Sequence, residues 1–290
     1  MNNPLYRPPA EAYSLILQIE QGCPYNKCTF CGMYKDLNYH SLSMGEIRSL
    51  IKQESQHNPN CRRIFLADGD VMRKPFDKLL EILTLLNQHF PHLTRVNLYA
   101  SGSAIASKSV EQLRILHSLK LHTLYMGLES GDDQILKRCN KCDTATKMVE
   151  AGLKAQESGL RMSVMILLGL GGSDHTHEHA INTAKALNLM QPRLLSALRV
   201  IPVKSTELYD DVVAGRFKML SEHGVVKELH NIIGDLDMQS TVFRANHGSN
   251  VIPLEGRLPR DKERLLAELD NLITSNVLDC DSPGKIPNQL

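Results

Sequence analysis

Tryptophan is absent from these 290 residues, and aromatic side chains of all kinds reach only 5%. A platform that stacks unpaired bases needs such rings at intervals, so single-stranded nucleic acid is a poor candidate for the ligand. Charge of one sign is lacking too: 33 Lys and Arg stand against 32 Asp and Glu, a net charge of +1. That excludes a chain that coats a polyanion through bulk charge, although a local basic patch stays open. No apolar run approaches the roughly eighteen residues that a membrane helix requires. The opening MNNPLYRPPAEAYSL has no charged start followed by an apolar stretch, so a secretory signal is not expected and a cytoplasmic location is. There is no internal repeat and no low-complexity linker.

An even set of cysteines is missing as well. The seven stand at positions 23, 28, 31, 61, 139, 142 and 280, three of them within nine residues. A secreted disulfide scaffold would use an even number, in a shorter chain. Clustered thiols in a reducing compartment point to metal ligation instead. With 42% hydrophobic residues, the chain suffices for one large core or for a core with a small appendage.

Short apolar runs alternate with helical patterns. The expected strands are 14–20, 62–68, 95–101, 122–130, 161–170 and 194–202. Several lack clean alternation, as strands buried on both faces do. The expected helices start near 43 and cover 75–90, 108–119, 144–159 and 175–190, with Ser43 and Glu46 spaced as a capping box. Such βα units build either a barrel or a doubly wound sheet. The polar and glycine-rich segments CPYNKC, ADGD, YAS, GLESG and GLGG follow five different strands, which favours the barrel rim over a single switch point. Beyond 205 the alternation fades. STVFRAN at 240–246 suggests a short strand and 257–276 an amphipathic helix. The expected divisions are an N-terminal arm at 1–13, a core at 14–205, an extension at 206–276 and a flexible tail at 277–290.

In GCPYNKCTFCGMY, Cys23, Cys28 and Cys31 stand at spacings of five and three, and Gly22, Pro24 and Gly32 permit a tight wrap. Thiolates select iron–sulfur clusters, zinc or copper(I). A structural zinc takes four protein ligands, and the nearest fourth candidate, His40, comes nine residues after Cys31. Three thiolates with no evident fourth point to a [4Fe–4S] cluster with one open iron. A zinc loop and buried unliganded thiols are the competing readings.

These residues resemble the cluster motif of the radical S-adenosylmethionine superfamily, although the first spacing is one residue longer than the superfamily's usual four. FLADGD (65–70), LYMGLESGDDQILKRCNK (124–141) and VMILLGLGG (164–172) are similar to further superfamily segments, notably of the subgroup with the tRNA methylthiotransferases and the oxygen-independent coproporphyrinogen oxidases. The resemblance covers about residues 14–202. It implies an α/β fold, a partial (β/α)6 TIM-like barrel with a mainly helical C-terminal extension. It also implies that S-adenosylmethionine chelates the open iron and is reductively cleaved to methionine and a 5′-deoxyadenosyl radical, which takes hydrogen from a substrate. An external one-electron donor such as flavodoxin or ferredoxin is then needed.

Around that cofactor the expected contacts are Asp70, Ser101, Glu129, Gly169, Gly171 and Arg199, with Asp68 and Gly172 beside them. Each has a plainer alternative: turn closure for Asp68 and Asp70, capping for Ser101, a salt bridge to Lys137 or Arg138 for Glu129, chain turning for the glycines. Tyr99 is expected to pack. His175 and His179 share a helix face without an evident third ligand, so exposure is the simpler reading. Cys139 and Cys142 form a lone CxxC, weak as a signal for a second cluster; Cys139 is expected as a small buried hydrophobe. Asn246, His247 and Asn250 are expected near the open side of the barrel. With no second complete cysteine cluster, no cobalamin-binding segment before the barrel and no evident C-terminal RNA-binding barrel, a small-molecule substrate is expected ahead of RNA. The alternatives are a methylthiotransferase-like enzyme acting on RNA, a non-radical iron–sulfur redox or sensing protein, and a zinc-stapled binding module.

Overall fold

The structure is a computed structural model that describes residues 5–285. Residues 1–4 of the expected arm and 286–290 of the expected tail lie outside the described residues. The chain divides into two compact units: residues up to 26, 33–126 and 150–162 form the first, and 27–32, 127–149 and 163 onward the second.

The first unit opens with β1 (Leu15–Gln18) and a small antiparallel pair, β2 (Glu20–Gln21) with β3 (His40–Ser41). There follow α1 (Met44–His57), β4 (Arg63–Ala67), α2 (Phe76–His89), β5 (Arg95–Tyr99), α3 (Gly102–Ala106), α4 (Val110–Ser118) and β6 (Leu121–Glu129). β1 pairs with β4, β4 with β5 and β5 with β6, all parallel, in register at Leu15–Ile64, Ile64–Val96 and Leu98–Leu124. Parallel pairing of chain-adjacent strands demands a crossover each time, and helices supply it. The apolar runs explain the burial: Leu17, Ile64, Leu66, Val96, Leu98 and Leu124 are all fully covered. Ser43 caps α1 as the sequence suggests, its Oγ accepting from Glu46 N and its N donating to Glu46 Oε2. From the arm, Glu11 is buried and accepts from Asn97 Nδ2 (2.7 Å) and from the Tyr125 hydroxyl.

The second unit carries α5 (Asp133–Arg138), α6 (Ala145–Glu157, shared with the first), β7 (Arg161–Leu168), α7 (Thr176–Met190), β8 (Leu194–Arg199), α8 (Glu207–Val213), α9 (Glu222–Asp235), β9 (Thr241–Arg244), β10 (Glu255–Leu258) and α10 (Lys262–Thr274). β7 and β8 pair in parallel, β8 and β9 likewise, and β10 turns back antiparallel on β9. α9 packs between α7 and α10 through Val225, Leu229, Ile232 and Ile233.

The expected α/β alternation is present, with strand ends one to three residues shorter than the apolar runs. One element differs in kind. The helix expected from 257 begins only at Lys262, and Arg257–Leu258 belong to β10. Pro259 cannot donate within a helix, so the chain stays extended up to it, and Asp261 then accepts from Arg257 N at 2.7 Å. Leu278 is buried, and residues 279–284 are hydrogen-bonded to the start of α9 through Asp279 N–Glu222 Oε2 (3.1 Å) and Glu222 N–Ser282 O (3.0 Å). Among the described residues no helix is long and apolar enough to cross a membrane.

Candidate active site

In the first unit the chemistry-bearing residues follow β4. Ile19 N donates to Ala67 O (2.8 Å) and Asp68 N to Glu20 O (3.2 Å), carrying the β1–β4 alignment to the start of the cysteine loop. Asp68 is fully buried; its Oδ2 accepts from Gln18 Nε2 (2.7 Å) and Gly22 N (3.4 Å), while Oδ1 has no partner. Burial raises its carboxyl above the ordinary range. Gly69 sits at φ +34°, and a Cβ there would stand 2.3 Å from Gly22 O and 2.8 Å from Cys23 Cα. The Asp68–Gly69 corner is therefore the mould for the backbone that presents Cys23.

Asp70 and Ser101 hold one another. Ser101 N donates to Oδ1 (3.0 Å) and Ser101 Oγ to Oδ2 (2.5 Å), while the same Oγ caps α3 by accepting from Ala104 N. Burial raises the Asp70 carboxyl as well. The plainer reading of Ser101, capping, thus describes a real bond, whereas the Asp70 carboxylate closes no turn of its own and reaches across to Ser101 instead. Tyr99 packs edge-on against Phe65 (5.1 Å between centroids), as expected. A trio around one buried carboxylate escaped the sequence: Glu20 bonds Lys74 Nζ (2.9 Å) and the hydroxyl of the exposed Tyr39 (3.0 Å), and its Oε2 has no partner. The one signal was a carboxylate at the end of the apolar run SLILQIE, where a charge must find company.

In the second unit the loop of Cys28 and Cys31 is braced from three sides. Cys31 N donates to Cys28 O (3.3 Å), Thr29 N to Cys139 O (3.0 Å), and Leu208 N to Thr29 O (3.0 Å). Asn140 Nδ2 adds a bond to Lys27 O (3.0 Å), and Phe30 packs on Ile135, Cys139, Leu170, Val200 and Leu208. Burial pushes the Cys28 thiol up to about 12, against the pull of Lys141. A thiol so protonated is inert until a metal displaces the proton.

Glu129 ends β6 at φ +63°, a conformation that costs a non-glycine residue on the order of 1 kcal/mol. Its Oε1 accepts from Lys141 Nζ at 3.0 Å, and its Oε2 is buried without a partner. Room for the carboxylate comes from Gly127, where a Cβ would lie 1.9 Å from Glu129 Oε1. The partner is Lys141 rather than the expected Lys137 or Arg138. α5 ends at Arg138, Asn140 adopts φ +51°, and the chain turns back so that Lys141 N bonds Leu136 O (2.9 Å). Burial alone would lower the Lys141 ammonium, but Glu129 and the Cys28 thiol beside it carry it above its usual range.

Gly169 N donates to Glu228 Oε1 (2.6 Å), and Thr176 Oγ1 donates to Glu228 Oε2 (2.6 Å). His179 lies 3.7 Å from the same carboxylate and bonds Ser130 Oγ through Nδ1 (2.8 Å); both His179 and Glu228 are fully buried. His179 is thus not exposed, contrary to the simpler sequence reading, because α7 turns that face inward against α9. Glu228 was not legible from sequence. Replacing it with alanine strands Gly169 N–H and the Thr176 hydroxyl, and at about 1–3 kcal/mol for each stranded group the protein loses about 2–6 kcal/mol. Anaerobic urea unfolding reads this as a lower midpoint with an unchanged slope.

Gly171 and Gly172 line a cavity of about 340 Å³ together with Thr29, Arg138, Phe217 and Lys218. Arg199 is buried; its Nη2 donates to Pro283 O, its N donates to Ser249 Oγ (3.2 Å), and its Nε has no partner. Asn250 braces strands, donating to Ala197 O and Ala245 O at 2.8 Å each. His247 bonds Ser249 Oγ at 2.9 Å, and Asn246 donates to Glu255 Oε2 at 3.2 Å. None of the seven cysteines is in a disulfide, and among the described residues no three His, Cys, Asp or Glu surround a single-ion position.

The family model described as "Radical SAM superfamily" matches residues 17–184. The heme chaperone HemW of Bacillus subtilis (strain 168) is 22% identical over 199 residues, 68% of this chain and 51% of that protein. The chain therefore spans about half the length of this curated relative. Among solved structures, methylornithine synthase (PylB) aligns with a TM-score of 0.54 at 14% identity, over 89% of this chain and 81% of its own. The radical S-adenosylmethionine methyltransferase TsrM of Kitasatospora setae, solved with cobalamin and a [4Fe–4S] cluster, aligns with a TM-score of 0.54 at 13% identity, over 70% of this chain and 39% of its own. These likenesses establish the fold as the α/β partial-barrel class.

Proposed function

The chain belongs to the radical S-adenosylmethionine superfamily, and from that premise we propose that it abstracts hydrogen from a small-molecule substrate at a site carried by Cys23, Cys28, Cys31 and Glu129. It is an enzyme, and its cofactors are a [4Fe–4S] cluster and S-adenosylmethionine. Bound together, these supply an electron and a 5′-deoxyadenosyl radical that removes hydrogen from carbon.

The residues present fit both groups. Three thiols within nine residues are the soft donors that an iron–sulfur cluster takes. The observation that carries the reading is Glu129: a buried carboxylate with one oxygen tied to Lys141 and the other without a partner. Leaving such an atom unpaired is costly unless a ligand completes it. Glu129 Oε2 would accept from a ribose hydroxyl or the amino group, and Lys141 would hold the carboxylate of the amino acid moiety. Asp68 Oδ1, buried and equally unpaired, is a second acceptor for an ammonium. Asp70 and Ser101 hold one another at the turn after β4, from which they would contact the cofactor. Gly169 and Gly171 would let backbone come close to the adenosyl group, and Arg199, whose Nε is unpaired, would meet an anionic group of cofactor or substrate. Phe30 anchors one side of the loop on its apolar neighbours. A one-electron donor protein such as flavodoxin or ferredoxin completes the cycle.

Equilibrium binding of S-adenosylmethionine to anaerobically reconstituted protein tests this reading. Lys141→Met should weaken binding about 10- to 100-fold, as losing one charge-assisted contact of about 1.5–3 kcal/mol does. Unchanged binding in both Lys141→Met and Glu129→Gln would remove this pair from the site. A salt-sensitive, submicromolar complex with a defined RNA would instead favour a nucleic-acid substrate.

A further inference from the structure

We propose that His179 is a positioning residue for the cofactor site: by holding Ser130 it fixes the turn that presents the unpaired carboxylate oxygen of Glu129 to S-adenosylmethionine; this rests on the assignment of Glu129 above. Of the histidines in the run HTHEHA, His177 is exposed and His179 is fully buried. A buried imidazole is costly unless its nitrogens are served, so what surrounds His179 bears on what it does.

Glu129 needs a constraint from outside its own strand. Its φ of +63° is left-handed, and Ser130 N donates to Leu128 O at 2.8 Å across it, closing a three-residue turn that only the surroundings can hold. One face of α7 supplies the constraint, through residues at i, i+3 and i+4. His179 Nδ1 meets Ser130 Oγ at 2.8 Å, Asn182 Nδ2 donates to Asp132 Oδ2 at 2.7 Å, and Thr183 Oγ1 accepts from Gly131 N at 2.9 Å. Gly131 lies so close to the helix that a Cβ there would stand 2.1 Å from Asn182 O. Of these three side chains, His179 is the one bonded to the residue next to Glu129.

The ring is itself held in one orientation. Ser130 Oγ also accepts from Asp132 N at 3.0 Å. The assignment that serves both groups has the Ser130 hydroxyl donating to Nδ1 and the imidazole proton on Nε2, turned toward Glu228 Oε1 at 3.7 Å. That distance is too long for a hydrogen bond, but a buried carboxylate still orients the N–H dipole. Glu228 is fixed in turn by Gly169 N and Thr176 Oγ1, at 2.6 Å each. One buried carboxylate thus stands behind both strand ends offered to the cofactor, at Glu129 and at Gly169. A side chain needed only to fill this space would not have to bond Ser130, and an apolar one would fill it without burying a polar ring.

The test is equilibrium binding of S-adenosylmethionine to anaerobically reconstituted wild type, His179→Ala, His179→Asn and His179→Gln, each checked for bound iron and far-ultraviolet circular dichroism. Asn offers an amide oxygen where Nδ1 stood and keeps the Ser130 contact, whereas Gln carries its amide on to the place of Nε2 and loses it. All should bind a full complement of iron, because His179 serves Glu129 rather than the cluster thiols. His179→Ala and His179→Gln should bind the cofactor several-fold more weakly than wild type, and His179→Asn close to wild type. Adding His179→Ala to Glu129→Gln should cost nothing further, since the positioned carboxylate is already gone. Wild-type affinity in folded His179→Ala, or the full loss repeated in the Glu129→Gln background, would overturn the proposal while leaving Glu129 in the site. Should His179→Ala fail to fold, the other two variants decide: equal affinities in His179→Asn and His179→Gln would overturn it. Unchanged affinity in Glu129→Gln alone would overturn the reading on which it rests, and the proposal with it.

Discussion

Replacing Cys23, Cys28 or Cys31 with alanine, one at a time, should lower bound iron well below four per chain and reduce cofactor cleavage to background. The effect is large because three protein thiolates are the minimum that fixes a cubane; with two, neither its position nor its integrity is held. The fold should survive each change. None of the three cysteines is counted in the buried core, and the loop carrying Cys28 and Cys31 is braced by backbone bonds from Thr29 and Leu208 that alanine leaves intact. Far-ultraviolet circular dichroism should therefore match wild type while the visible absorbance of the cluster disappears. A variant that keeps a full complement of iron would assign that cysteine elsewhere.

Gly69→Val should do nearly as much damage from outside the ligand set. A Cβ at this position would stand 2.3 Å from Gly22 O and 2.8 Å from Cys23 Cα, and backbone at φ +34° does not suit a β-branched residue. Overpacking of this kind costs about 1–3 kcal/mol, less than a domain's typical stability of about 5–15 kcal/mol, so the chain still folds. The clash falls on the Gly22–Cys23 backbone, so relieving it displaces Cys23. A misplacement of about 1 Å near reacting groups costs on the order of 10²-fold in rate. Iron content and cleavage should both fall in Gly69→Val, with Gly69→Ala intermediate. Full activity in Gly69→Val would show that the Asp68–Gly69 corner does not shape the cluster loop.

The strands were legible because each is a short apolar run closed by polar or glycine-rich residues, and burial on both faces leaves that mark in any α/β core. The cysteine loop was legible because its donors are local in sequence. What stayed hidden depends on contacts between distant residues. Glu228 lies 59 positions from Gly169, and nothing in its own helix announces that its carboxylate closes the turn after β7. Lys137 and Arg138 lie nearer in sequence to Glu129, but the left-handed Asn140 is what returns the chain and makes Lys141 the partner. β10 was read as the start of a helix because amphipathic periodicity runs on past the proline that prevents it. Asp70 and Ser101 are legible only as separate polar positions, because the bond between them joins residues that no local pattern links.

Everything proposed for this chain turns on reductive cleavage of S-adenosylmethionine at a cluster held by Cys23, Cys28 and Cys31. The measurement that tests it most directly is anaerobic incubation of the reconstituted protein with the cofactor and dithionite, followed by mass-spectrometric quantification of the products. Wild type should form 5′-deoxyadenosine and methionine in equal amounts, and each of the three cysteine variants should form neither. A fully loaded, reducible [4Fe–4S] protein that yields neither product, with candidate substrates supplied, would contradict it.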